Sequence, residues 1–108
     1  MELLFKLLIG HAVADFALQS DVMAKGKNRH AFQAVFPGGQ KHVPCWPFWL
    51  SAHALIHAGI VWLVTGRIEC AIAELLLHWM IDFGKCDNWY GPHVDQALHV
   101  LCKVGYLI

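Results

Sequence analysis

Four times this chain places a histidine or aspartate four positions before another, each time in an otherwise largely apolar stretch. The pairs are His11 with Asp15, His53 with His57, His78 with Asp82, and Asp95 with His99. A helix carries positions i and i+4 on one face, one turn apart. Each pair therefore points one way out of a helix with little other polar surface. Burying an unpaired polar or charged group is costly, so a stable fold has to turn the four faces toward one another. The clearest case is Leu75 to Lys85, where His78 and Asp82 are set among leucine, tryptophan, methionine, isoleucine and phenylalanine.

The rest of the composition agrees. Apolar residues make up 57% of the chain and charged residues 15%, against roughly 25% charged in ordinary soluble domains. The formal net charge is zero, which gives no electrostatic footprint for nucleic acid. Eight histidines are many for 108 residues, a length that fits one domain, residues 1–108. Cys45, Cys70, Cys86 and Cys102 form no C-x-x-C motif and read as small core residues. No cleavable leader is expected, because the amino-terminal apolar run carries His11 and Asp15 and leads to no A-x-A-like site.

The fold expected from this pattern is all-α: a four-helix transmembrane bundle with helices over about 2–19, 48–65, 68–85 and 93–108. Ser20 to Pro47 is a break, with a basic stretch Lys25 to His30 and turn signals at Pro37-Gly38-Gly39 and Pro44. A short amphipathic piece from Ala31 to Phe36 lies within it. Pro47 before the second helix and Gly66 after it mark its ends. Arg67 then sits in a connection so tight that helices two and three should form an antiparallel hairpin. Asp87-Asn88 and Gly91-Pro92 mark the second break. Helices of this size are about 24–28 Å long, close to a hydrocarbon core of about 30 Å, and none has a charged face. A soluble four-helix bundle is the alternative, since buried helices can be equally apolar. Lys25, Lys27, Arg29 and Lys41 in the first break place that side in the cytoplasm, and both termini on the periplasmic side of an inner membrane. Trp46, Trp49, Trp89 and Tyr90 would form an aromatic belt at the same end.

In this topology the four pairs fall in one layer, roughly 5–15 Å below one surface. Ionisable residues in such a setting pair, face a polar cavity, or mark function. Imidazole and carboxylate suit zinc, iron or manganese, and a bundle core can gather ligands from several helices. The expected metal ligands are His11, Asp15, His53, His57, His78, Asp82, Asp95 and His99, holding one or two divalent ions, with zinc favoured. A carboxylate outside the ligand set, Asp82 or Asp95, would act as general base. Gln19, Gln96 and Lys85 lie at the rim, Lys85 expected beside Asp82 and Asp95 as a catalytic residue that holds an anionic head group or phosphate, and the glutamines as ligand-orienting groups. His30, His42 and His93 fall in loops or at a boundary and are not expected to be ligands. Interhelical hydrogen bonding without metal, haem ligation and a proton path are the competing readings.

These residues also resemble a known family. His11-Ala-Val-Ala-Asp15-Phe16-Ala-Leu18-Gln19 followed by Lys25, the His53-x-x-x-His57 pair, His78-x-x-x-Asp82-x-x-Lys85 and Asp95-Gln96-x-x-His99 are similar to the phage and bacterial membrane proteins grouped as domain of unknown function 3307. The resemblance implies a small multi-spanning protein and names no reaction. A looser similarity to membrane-bound metal-dependent hydrolases serves as a prior only. The expectation is therefore a metal-dependent hydrolase acting on a membrane lipid or phosphate ester, with homo-oligomers open. The alternatives are a small proton or ion conduit, or a phage accessory protein that binds a host membrane protein.

Overall fold

The computed structural model describes residues 1–31 and 46–108. The amphipathic piece expected from Ala31 to Phe36, the turn signals at Pro37 to Pro44, Lys41, His42 and Cys45 lie wholly or mostly outside the described residues. Helix α1 spans Glu2–Ala12 and continues directly into a π-helical turn, Val13–Ala17. The short helix α2 covers Asp21–Gly26, α3 covers Trp46–Thr65, α4 covers Ile68–Cys86, and α5 covers Pro92–Gly105.

The chain is all-α, as expected, but it is not a bundle of four transmembrane helices. Among the described residues only α3 is long and apolar enough to cross a membrane. The first expected helix breaks: α1 has 11 residues, and the π turn ends in a bend at Leu18. Helix α5 has 14 residues, short of the roughly 20 that a span requires. Helix α4 is long enough, but Glu69, Glu74, Asp82 and Lys85 fall within it. The multi-pass inner-membrane placement, and the orientation built on it, fall with the four spans. Helix α3 itself packs against α1, α2 and α4, the position of a central helix.

Local signals explain most of the boundaries. Ser20 caps α2, its Oγ accepting from the Met23 amide at 3.1 Å. Gly66 adopts φ +68° at the end of α3, a left-handed conformation that glycine takes without a Cβ penalty. With Arg67 it completes the two-residue connection between α3 and α4, so the expected hairpin forms. Pro92 opens α5 at its first turn, where its missing N–H costs nothing.

Packing runs through small and aromatic groups. A Cβ on Gly26 would lie 2.9 Å from the Trp49 ring, so the absence of a side chain is what lets α2 lie on α3. Trp79 and Phe83 stack with rings 5.5 Å apart, and Trp46 packs tilted against both. Trp46 and Trp89 therefore join an aromatic cluster around Phe83. Leu7, Val61, Cys70 and Tyr106 form a small apolar core. Cys70 and Cys86 are buried free thiols, in line with their reading as core residues. The outer faces carry exposed Phe5, Phe16, Phe48, Leu63 and Leu101, while His53, His57, Glu74, His78, Asp82, Asp95, His99 and Lys103 are interior. The fold hides this set of ionisable groups, leaves others such as Glu2, Lys6, Asp21 and Glu69 at the surface, and shows much of its apolar surface.

Candidate metal centre

The structure gathers all eight expected residues into one contiguous network. Helix α1 supplies His11, and the π turn supplies Asp15. Helix α3 brings His53 and His57, α4 brings His78 and Asp82, and α5 brings Asp95 and His99. The π turn, closed by the Leu18 amide on the Val13 carbonyl at 2.9 Å, carries Asp15. Such turns are frequent at functional sites. The imidazole of His57 stacks on that of His78 with ring centres 3.7 Å apart, and His78 stacks on His99 at 4.3 Å.

Two groups of side chains have ligand atoms close enough to share an ion: Asp15, His53, His57 and His78, and, separately, His78, Asp82 and His99. Within each, the atoms lie within 4.8 Å of one another. Around a tetrahedral ion with bonds of 2.0–2.1 Å the donors would stand about 3.3 Å apart. Several pairs already do: His57 Nε2 is 3.1 Å and His53 Nε2 3.3 Å from Asp15 Oδ1. Both groups fit a divalent ion by donor type, and neither singles out zinc from iron or manganese.

The groups differ in what already neutralises them. Burial lowers the pKa of His53 and His57 below the ordinary value, Asp15 opposing it, and brings His57 to about 3. Both imidazoles are thus neutral and keep a lone pair. Burial alone would raise Asp15, but contacts from His53 and His57, then His11 and Gln96, hold its carboxyl well below the usual range. In the second group Lys27 Nζ donates to Asp82 Oδ2 at 2.6 Å, both side chains being buried. Burial pulls the His99 pKa down, but Asp82 and Asp95, at 3.4 and 3.3 Å, outweigh it and raise it to about 9. Asp82 is therefore already flanked by an ammonium and an imidazolium.

Both groups also draw on His78. Its Nδ1 is 3.1 Å from Glu74 Oε1, which leaves only Nε2. That nitrogen is buried and makes no hydrogen bond among the described residues, as is true of both ring nitrogens of His53. One lone pair serves one ion, so the two groups are alternatives for His78.

The remaining expected residues have defined positions. Gln96 Nε2 donates to Asp15 Oδ2 at 3.1 Å and to Asp95 Oδ2 at 3.2 Å, and its Oε1 accepts from His11 Nε2 at 3.1 Å. It ties α5 to the π turn and occupies the His11 nitrogen that would face a metal. Gln19 donates to the Asp15 backbone carbonyl at 3.2 Å. Lys85 is half-buried in the last turn of α4, and among the described residues no ion pair draws it into the cluster. His30 contacts Asp87 at 3.1 Å, away from the cluster.

Four participants escaped sequence reasoning: Lys27, Glu74, Lys103 and Tyr106. Lys103 Nζ and Tyr106 Oη each donate to Glu74 at 2.7 Å, and all three side chains are buried. A signal for two of them was present. Glu74, His78 and Asp82 continue one i, i+4, i+8 line, and Asp95, His99 and Lys103 continue another. Lys27 had no such mark, because its burial depends on where α2 docks.

The family model described as protein of unknown function (DUF3307) matches residues 3–107. The chain belongs to that family. Nothing among curated proteins or solved structures matches it significantly. Membership fits the residues by which the resemblance was drawn and assigns no reaction. Hydrolase activity and zinc as the metal go beyond the geometry. The apolar cavity between α3 and α4, about 180 Å³ and lined by Leu55, Gly59, Trp62 and Ile72 among others, has no polar lining.

Proposed function

We propose that this chain is a divalent-metal-binding protein in which Asp15, His53, His57 and His78 hold a single ion. The observation that carries this reading is the set of buried imidazole nitrogens of His53 and His78 that lack a hydrogen-bond partner among the described residues. Native interiors leave few polar atoms unsatisfied, and here they stand beside a carboxylate held in its charged form. Ligation by three imidazoles and one carboxylate would leave a divalent ion with a net charge of +1, which the buried Asp82–Lys27 pair does not compete for.

Lys27 and protonated His99 disfavour a second ion at Asp82, so a mononuclear centre is preferred to a dinuclear one. In bound form such an ion supplies Lewis acidity and a water of lowered pKa. Hydrolysis of an ester or phosphate ester is the finer use of that chemistry, supported by donor type alone. For this chain's own residues the roles are simpler. Gln96 orients Asp15 and His11, and Gln19 holds the backbone of the π turn.

Elemental analysis of the purified chain tests the reading, with zinc, iron and manganese measured together beside a His53→Ala/His57→Ala variant. About one ion per chain, lost in a variant that keeps its helical circular dichroism, is the expected result. Folded wild-type protein that is metal-free and takes up none of the three on reconstitution would overturn it. Turnover of a phosphodiester by the loaded protein and not by the variant would carry the hydrolytic use; metal without turnover leaves a binding protein.

A further inference from the structure

We infer that Glu74, held by Lys103 and Tyr106, is the positioning residue that sets the tautomer of His78 and aims its free nitrogen into the metal centre. The inference rests on the single-ion reading and adds the group that prepares one of its ligands. Glu74 Oε1 stands 3.1 Å from His78 Nδ1 and accepts from Lys103 Nζ at 2.7 Å, while its Oε2 accepts from Tyr106 Oη at 2.7 Å. All four side chains are buried.

A carboxylate only accepts, so the proton between Glu74 and His78 belongs to Nδ1. In water a neutral histidine is free to carry its proton on either nitrogen; here the choice is made by Glu74. With that proton on Nδ1, Nε2 is the nitrogen left to ligate: it makes no hydrogen bond among the described residues, lies 3.5 Å from Asp82 Oδ2, and belongs to a side chain whose ligand atom is within 4.8 Å of those of Asp15, His53 and His57. This is the arrangement in which a carboxylate behind a ligating imidazole fixes the ring and raises its basicity. Lys103 and Tyr106 hold the carboxylate in turn, so that it does not rotate away. The spacing supports the same reading, since Glu74 and His78 are one helical turn apart on α4 and Lys103 reaches them from α5.

Two variants separate positioning from bulk packing. In Glu74→Met/Lys103→Met/Tyr106→Phe the network is replaced by apolar groups of similar size, a change that buried ionic groups often tolerate. In Glu74→Gln/Lys103→Met a carbonyl acceptor for His78 Nδ1 remains and no ammonium is stranded. Cobalt(II) serves as the probe, through its visible ligand-field bands, and nitrogen-15 correlation spectra of the metal-free protein report the tautomer. Expected are an Nδ1-protonated His78 in the wild type, a 10- to 100-fold weaker cobalt affinity with shifted bands in the triple variant, and affinity restored to near wild type in the conservative double variant. A wild-type His78 protonated on Nε2 would overturn the inference, as would a folded triple variant with wild-type affinity and bands. Wild-type protein that keeps the Nδ1 proton but binds no cobalt would instead overturn the metal reading itself.

Discussion

Replacing Lys27 by methionine removes one ammonium from the interior and leaves the Asp82 carboxylate behind. The two groups meet at 2.6 Å with side chains 4% and 3% exposed, so solvent does not take over the charge. Breaking a buried pair by deleting one partner costs about 3–5 kcal/mol. His99 remains 3.4 Å from Asp82, and its pKa, raised to about 9, keeps it charged at neutral pH. One positive neighbour therefore survives, and the expected loss is at the lower end, about 3 kcal/mol. For a domain of this size that is a fall in Tm of about 12–24 °C. Urea denaturation of Lys27→Met, Asp82→Asn and the double variant forms a thermodynamic cycle, and the double should recover about 2 kcal/mol relative to the sum of the singles. Singles that add without coupling, or a Lys27→Met loss under about 1 kcal/mol, would refute the claim that this pair is an internal counter-charge.

Acid should loosen the second connection. Arg29 donates to both Asp87 oxygens at 2.8 and 2.5 Å, and this contact, opposed by burial and aided by His30, holds the Asp87 carboxyl below its ordinary value of 3.8. Because the folded value is the lower one, the stabilisation is complete above about pH 4 and is lost as pH falls through the folded value. Amide protection factors at residues 28–31 and 87–88, taken relative to the unstructured exchange rate at each pH, should fall with acid, and an Asp87→Asn variant showing the same acid response would refute the assignment. Gly26→Ala should cost about 1–3 kcal/mol by overpacking, because the new methyl meets the Trp49 ring at 2.9 Å; a neutral or stabilising result in urea melts would mean α2 can shift. Phe5, Phe16, Phe48, Leu63 and Leu101 are large apolar side chains left exposed, and apolar surface of this kind marks interaction sites where it is contiguous. Light scattering in detergent-free buffer should therefore find association, and a monodisperse 12.1 kDa species would refute that.

Much of the candidate site was legible before any coordinates. The four i, i+4 pairs follow from helical periodicity alone, and an apolar helix that carries two polar residues on one face has one direction in which to bury them. The α3–α4 hairpin was equally plain, because Gly66 and Arg67 leave no room for another connection. Hydropathy misled on the number of spans, since it averages along a segment and does not register where the backbone changes pitch. The π turn at Val13–Ala17 and the bend at Leu18 depend on how α1 meets α3 and α5, contacts far apart in sequence.

By itself, then, the sequence determined that the chain is helical, where most helices begin and end, and which histidines and aspartates share a face. Only the tertiary structure decided their roles. Asp15 and Asp82 are the same residue type in the same spacing pattern, yet one is surrounded by neutral imidazoles and the other by Lys27 and protonated His99. The physical reason is that charge state inside a protein is set by neighbours within about 4–6 Å, and those neighbours arrive from other helices.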